Sequence, residues 1–141
     1  AAIELGGRRQ KASQSSKIIK SSIDAYHFFK PLLQDKNYEE FWVLLLSKNH
    51  SIIKPYQVSD GGISQTVLDP KRVFKAALEH NTSSLVLCHN HPSVNLTPSA
   101  ADIKLTQKLI KASLTLDIQI LDHIIVSNTG YYSFADEGKL I

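Results

Sequence analysis

The feature that most constrains this chain is a set of short apolar runs of strand length. Residues 40–47, 84–88 and 118–126 are dominated by Val, Leu, Ile and aromatic side chains. Short runs that stay apolar throughout, instead of alternating with polar residues, are typical of strands buried on both faces of a sheet. The three runs therefore predict a central sheet whose faces must be covered by helices.

Helices are predicted between these strands by capping signals. Asp69-Pro70 and Thr97-Pro98 each place a side-chain acceptor directly before a proline, which suits the first turn of a helix. A further helix is expected to begin at Ser21 or Ser22 and to bend or end at Pro31. The residues expected to be buried on the two later helices are Val73, Phe74, Ala77 and Leu78 on one, and Leu105, Leu109, Ala112 and Leu116 on the other.

Hairpin turns complete the predicted sheet. Residues 48–50 lead from the first strand into a second over 52–58, and residues 128–130 lead into a return strand over 131–134. Another strand through residues 66–68 is expected after the Asp-Gly-Gly break at 60–62. The fold class predicted is α/β, of the α+β type, with a mixed sheet flanked by helices.

Composition narrows the class of protein. At 141 residues, with 43% hydrophobic and 21% charged side chains, one globular domain is expected over residues 17–141. Residues 1–16 are predicted to be a linker, or the tail of a missing helical N-terminal region. The net charge of +3 comes from scattered lysines and arginines, so composition gives no argument for nucleic-acid binding. A single cysteine excludes an intramolecular disulfide, and with no apolar run of spanning length we expect a cytoplasmic protein.

Two histidines and an aspartate have the spacing of a metal site. His89 and His91 are two apart at a predicted strand end, so both imidazoles point the same way. Ser99 and Asp102 are three apart at a predicted helix start and share one face. Each residue alone has an ordinary structural explanation, but together they offer zinc three ligands, His89, His91 and Asp102, and leave a fourth position for water. Ser99 would then donate a hydrogen bond to a developing oxyanion.

A metal-activated water also needs a general base. Glu39 and Glu40 stand directly before the apolar run that starts at Phe41, where burying a carboxylate is costly unless it has a partner or a role. Only one of the two can face the site, because neighbouring residues of a strand point to opposite faces. The residues alone leave the choice between them open, and both could simply be solvated.

The same residues resemble a known motif. His-x-His, seven residues, then Ser-x-x-Asp is the JAMM motif of the JAB/MPN metalloproteases, which have a cytidine-deaminase-like architecture, and it is matched without a gap at positions 89–102. The sequence at residues 89–93, 97–99, 121–126 and 132–138 resembles that of the RadC family in particular. RadC proteins have historically been described as DNA repair factors, and the resemblance runs from about Ser21 to the end of the chain.

The resemblance implies a zinc-dependent peptidase or isopeptidase. It implies Zn²⁺ held by His89, His91 and Asp102, and it places the general base two residues before Phe41, which is Glu39. It also implies that Ser99 assists in stabilising the oxyanion. Two departures from the family pattern leave the substrate open: Val94 replaces a usual glycine, and residues 69–72 read Asp-Pro-Lys-Arg in place of His-Pro-Arg-Glu.

Other functions stay in competition. One is a DNA-repair-associated nucleic-acid-binding module, with DNA or repair partners reached through the missing N-terminal region. Another is a metal-dependent nuclease, although a His/His/Asp set suits zinc better than the carboxylate-rich sites of magnesium. If the chain is a zinc-dependent peptidase, the expected partner is a peptide or isopeptide substrate. His123 lies in a family-like stretch and is either an ordinary sheet histidine or a residue that supports the ligands.

Overall fold

A computed structural model describes residues 17–59 and 68–140. Within these residues the chain forms three helices and five strands. Their order is α1 (Ser22–Leu33), β1 (Phe41–Leu46), β2 (Ile52–Ser59), α2 (Pro70–Glu79), β3 (Ser84–Asn90), α3 (Ala100–Thr115), β4 (Gln119–Ser127) and β5 (Gly130–Ser133). The predictions for residues 1–16, for the break at 60–62 and for most of the strand at 66–68 lie outside the described residues.

The sheet is mixed, as predicted, with the strand order β2-β1-β3-β4-β5. β1 pairs antiparallel with both β2 and β3, and β5 pairs antiparallel with β4. β3 and β4 are parallel, and α3 is the crossover between them. The carboxyl end of β3 therefore lies beside the chain that enters α3, which is where sites form in sheets with parallel strands.

The two faces of the sheet carry separate hydrophobic cores. On one face α1 packs Ala25, Phe29 and Leu33 against the sheet. On the other, α2 and α3 cover a core that includes Val73, Phe74, Ala77 and Leu109. Strands β1 and β3 are buried almost throughout, which explains their uninterrupted apolar sequence. No helix in the described ranges has the length and apolar character that crossing a bilayer would need.

The capping signals were right about α2 and two residues early for α3. Asp69 caps α2 by accepting a hydrogen bond from the Lys71 N–H, and Pro70 occupies the first turn. The cap of α3 is Ser99 rather than Thr97, and the helix begins at Ala100. Pro31 lies inside α1, which continues to Leu33.

Two apolar positions assigned to buried helix faces are in fact exposed. Leu78 is 59% exposed near the end of α2, and Leu116 is 39% exposed just beyond α3. Leu78 lies in the last turn of α2 and Leu116 caps the end of α3, where the helical repeat no longer decides which side chains meet the core. Leu109, at the middle of α3, is fully buried.

We expect the burial difference along α3 to control stability. Leu109→Ala should reduce the free energy of unfolding by about 2–5 kcal/mol, because it opens a cavity in the core under the helix. Leu114→Ala, on the same helix but 74% exposed, should change it by no more than about 0.5 kcal/mol. Urea unfolding of both variants measures the contrast. Equal losses would mean that α3 does not pack as described.

Candidate metal centre

The predicted ligands meet at the junction of β3 and α3. His89 is the penultimate residue of β3, His91 follows the strand, and Asp102 lies in the first turn of α3. His89 Nε2 and His91 Nε2 are 3.1 Å apart. Each also lies 3.3 Å from an oxygen of the Asp102 carboxylate, His89 from Oδ1 and His91 from Oδ2. The fold thus brings together three side chains that the sequence only suggested were neighbours.

The distances fit a metal ion. Four donors placed about 2.0–2.1 Å from a zinc ion in a tetrahedron are about 3.3 Å from one another. The closest approaches of 3.1, 3.3 and 3.3 Å between the three side chains are near that separation. The three residues therefore form a cluster that could hold a metal ion.

Asp102 is oriented by a capping box. Its backbone N–H donates to Ser99 Oγ at 3.0 Å, and its Oδ2 accepts the Ser99 N–H at 2.8 Å. The other carboxylate oxygen, Oδ1, is buried and accepts no hydrogen bond. A buried, unsatisfied carboxylate oxygen is costly, and a metal ion facing it would remove that cost.

Electrostatics keep this carboxylate ionised. Burial alone would raise the pKa of Asp102, but the facing His89 and His91 and the Ser99 N–H together hold that pKa far below its ordinary value. The N-terminal position in α3 acts in the same direction, because the helix dipole favours a negative charge there. Asp102 is therefore an anion at neutral pH, which is the form that binds a metal.

His91 presents a lone pair to the cluster. Its Nδ1 lies 2.8 Å from the Asn95 backbone carbonyl, which can only accept a hydrogen bond. The proton of the neutral ring therefore sits on Nδ1, and the lone pair on Nε2 is free to bind a metal. In the protonated ring, Nε2–H donates a hydrogen bond to Asp102, and this bond raises the pKa of His91, while partial burial opposes the rise. The negative charge of Glu39 makes a smaller contribution to the same rise of the pKa of His91.

The two candidate bases have different surroundings. Glu40 is only 4% exposed and already has two partners: it accepts a hydrogen bond from Trp42 Nε1 at 3.0 Å and pairs with Lys36 at 3.3 Å. Glu39 is half-buried and its charge acts on His91. Glu40 is thus held by structural partners, and the choice of Glu39 as the base stays a prediction.

Asn90, the residue between the two histidines, was missed by sequence reasoning. Its side chain is buried, and its Oδ1 accepts the Glu40 N–H at 2.7 Å while its Nδ2 donates to the Tyr38 carbonyl at 2.9 Å. These two groups flank Glu39 on the backbone, so Asn90 fixes the chain on both sides of the candidate base. No local pattern could have revealed this, because the partners are 50 and 52 residues apart.

Ser99 and Val94 both lie in the stretch of chain between His91 and α3. Ser99 Oγ accepts the Asp102 N–H, and a hydroxyl that accepts one bond keeps its own hydrogen to donate. Val94 is 71% exposed, and it is not among the described residues with positive φ. The valine therefore needs none of the backbone freedom of the glycine that it replaces.

Known proteins match almost the whole chain. A family model described as RadC-like JAB domain matches residues 19–139. A UPF0758 protein of Flavobacterium johnsoniae is 48% identical over 140 residues, which cover 98% of this chain and 61% of the relative. A UPF0758 protein of Porphyromonas gingivalis is 41% identical over 143 residues, covering 99% of this chain and 63% of the relative. The chain thus spans about three fifths of the length of these relatives.

The cluster should bind one divalent ion per chain. We expect His91→Ala to weaken binding by more than about 100-fold, because loss of a ligand should cost more than loss of the groups that support ligands. His27→Ala, an exposed histidine on α1, is the matched control and should bind as the unchanged chain does. Elemental analysis and a chelator competition titration measure this. Full occupancy in His91→Ala would place the ion elsewhere.

Proposed function

Because the chain belongs to the RadC-like JAB domain family, we propose that it is a zinc-dependent hydrolase that cleaves an amide bond, as a JAMM-type peptidase or isopeptidase. The observation that carries the proposal is the convergence of His89, His91 and Asp102 with a buried carboxylate oxygen left unsatisfied. Two neutral imidazoles and one carboxylate form a donor set that zinc prefers over magnesium.

His89, His91 and Asp102 would hold the ion and leave part of its coordination open on the side of the solvent. Zinc bound there would supply a water of lowered pKa and would polarise the carbonyl of the scissile amide. The burial of His89 and Asp102 excludes bulk water from the inner side of the site. This low-polarity surrounding strengthens the electrostatic interactions made within it.

Glu39 is the proposed general base and acid. Its carboxylate takes a proton as the water oxygen bonds to the carbonyl carbon, and it returns that proton to the amide nitrogen as the C–N bond breaks. Asn90 supports this role by holding the peptide groups on both sides of Glu39. Ser99 donates its hydroxyl hydrogen to the oxygen that gains negative charge.

The substrate we propose is a peptide or an isopeptide. Ser99 is exposed and hydrogen-bonds with Asp102, so a chain segment can approach the site from solvent on that side. For location we propose the cytoplasm, on the ground that the lone Cys88 is a buried, unpaired thiol of the kind common in reducing compartments.

The contrast between Glu39 and Glu40 tests the proposed reaction. Glu39→Gln should lower kcat about 100- to 10,000-fold, because it removes the proton carrier, while zinc content stays the same. Glu40→Gln keeps the shape of a residue that faces Trp42 and Lys36 and should leave kcat nearly unchanged. The measurement is hydrolysis of a panel of peptide and isopeptide substrates by the zinc-loaded protein.

Three results would contradict the proposal. Equal loss of activity in both glutamine variants would remove Glu39 from its assigned role. DNA cleavage that depends on magnesium or manganese and persists in zinc-free buffer, without any hydrolysis of amides, would favour the nuclease alternative. Salt-dependent DNA binding without cleavage would favour a binding module.

A further inference from the structure

Behind the metal cluster lies a chain of buried hydrogen-bonding groups that the proposed reaction does not use. His89 Nδ1 is 2.7 Å from His123 Nε2, and His123 Nδ1 is 2.6 Å from Thr106 Oγ1. Thr106 Oγ1 in turn donates to the Asp102 backbone carbonyl at 2.7 Å. We call these groups of His89, His123, Thr106 and Asp102 the histidine relay. Each of the four residues is at most 1% exposed, so water cannot replace a missing partner.

The carbonyl at the end of the relay fixes its direction. A carbonyl oxygen only accepts, and the Thr106 hydroxyl has one hydrogen, so at 2.7 Å that hydrogen must point to Asp102. Thr106 Oγ1 must then accept from His123, which puts a proton on His123 Nδ1. A second proton on this buried ring would be costly, so His123 Nε2 carries a lone pair and accepts from His89 Nδ1–H.

The direction decides whether His89 can bind a metal. With the proton on Nδ1, the neutral ring of His89 has its lone pair on Nε2, the atom that faces His91 and Asp102. If the relay ran the opposite way, His89 Nδ1 would accept, Nε2 would carry the proton, and no lone pair would face the ion. A single hydroxyl hydrogen at Thr106 is therefore what separates a ligand from a non-ligand.

We propose that Thr106 and His123 are positioning residues that set the tautomer of His89 and so prepare its Nε2 to bind the metal. The inference rests on the proposed function, since it assigns a role to residues behind the same site. It also adds a link between two ligands, because the relay starts at His89 on β3 and ends on the backbone of Asp102 in α3. The relay thus ties the strand that carries one ligand to the helix that carries another.

The surrounding fold keeps the two rings in place. Phe134 stacks on His123, with ring centroids 4.6 Å apart and planes 8° from parallel. Phe41 lies parallel to His89, with centroids 5.8 Å apart and planes 6° from parallel. Aromatic walls of this kind leave a histidine ring little freedom to rotate, so the hydrogen bonds alone choose the tautomer.

A change of register in β4 brings His123 to the metal face. Ile120 pairs with Leu85 and Asp122 pairs with Val86, so Leu121 is an extra residue in the parallel ladder. Without this bulge, Ile120 and His123, three residues apart, would point to opposite faces of the sheet. With it, Ile120 packs under α2 and α3 while His123 reaches Thr106 on α3.

Zinc affinity tests the proposal without any substrate. We expect Thr106→Val, which keeps the size of the side chain but removes the hydroxyl, to weaken zinc binding about 10- to 100-fold. Thr106→Ser restores the hydroxyl and should recover most of the affinity. The measurement is competition with a chromophoric chelator, on the whole 141-residue chain.

Ser113→Ala is the matched control on the same helix. Ser113 is also 1% exposed and also donates to a backbone carbonyl, that of Ile110 at 2.7 Å, but it does not belong to the relay. A purely structural role for Thr106 predicts that both variants lose stability and keep their zinc affinity. That result, with Thr106→Val binding zinc as tightly as Ser113→Ala, would overturn the proposal.

Long-range ¹H–¹⁵N NMR of the imidazole rings in the unchanged chain reads the tautomers directly, even where Thr106→Val fails to fold. We expect His123 and His89 both to carry their proton on Nδ1. A proton on His89 Nε2 in the zinc-loaded chain would refute the relay. An unchanged chain that bound no zinc would instead overturn the proposed function on which the relay depends.

Discussion

The reciprocal hydrogen bonds between Ser99 and Asp102 are the interaction on which the site depends. They cap the first turn of helix α3. One carboxylate oxygen of Asp102 accepts the Ser99 N–H, while the other is buried and accepts no hydrogen bond. The Ser-x-x-Asp spacing thus forms a capping box and also directs the Asp102 carboxylate toward His89 and His91. The same residues satisfy the backbone of a helix end and aim an anion at two histidines, so the local fold and the site cannot be changed separately.

The parts of the fold and site that could be predicted are those encoded by residues close together in the sequence. The His89–His91 and Ser99–Asp102 pairs could be found because strand and helix repeats act over two to four residues. The resemblance to the RadC family is confirmed by the family match, and with it the mixed sheet. Burial near the helix ends was harder to predict. Leu78 fits the helical repeat and yet is exposed, because the repeat alone does not show where a helix ends.

The supporting residues could not be read from the sequence for a different reason. Asn90 acts on the backbone around Glu39, about 50 residues away, and Thr106 acts through His123 on β4. Both contacts depend on which strands are neighbours. The face of the sheet to which His123 points depends in addition on a one-residue bulge, which the periodicity of the sequence does not predict. Sequence reasoning therefore located His89, His91 and Asp102, which the fold brings together, and left open whether His123 supported them.

Strand pairing also explains why the two candidate bases lie beside the end of the strand that carries His89. β1 is antiparallel to β3, so Phe41 lies opposite His89 and the residues before β1 run alongside the end of β3. Glu39 and Glu40 fall where that ladder stops, and the Asn90 side chain continues it with two hydrogen bonds. Because adjacent residues of a strand point to opposite sides, Glu39 lies on the other side of the backbone from Glu40, whose side chain meets Trp42 and Lys36. Strand pairing therefore separates the two glutamates, and the assignment of Glu39 as the base stays a prediction.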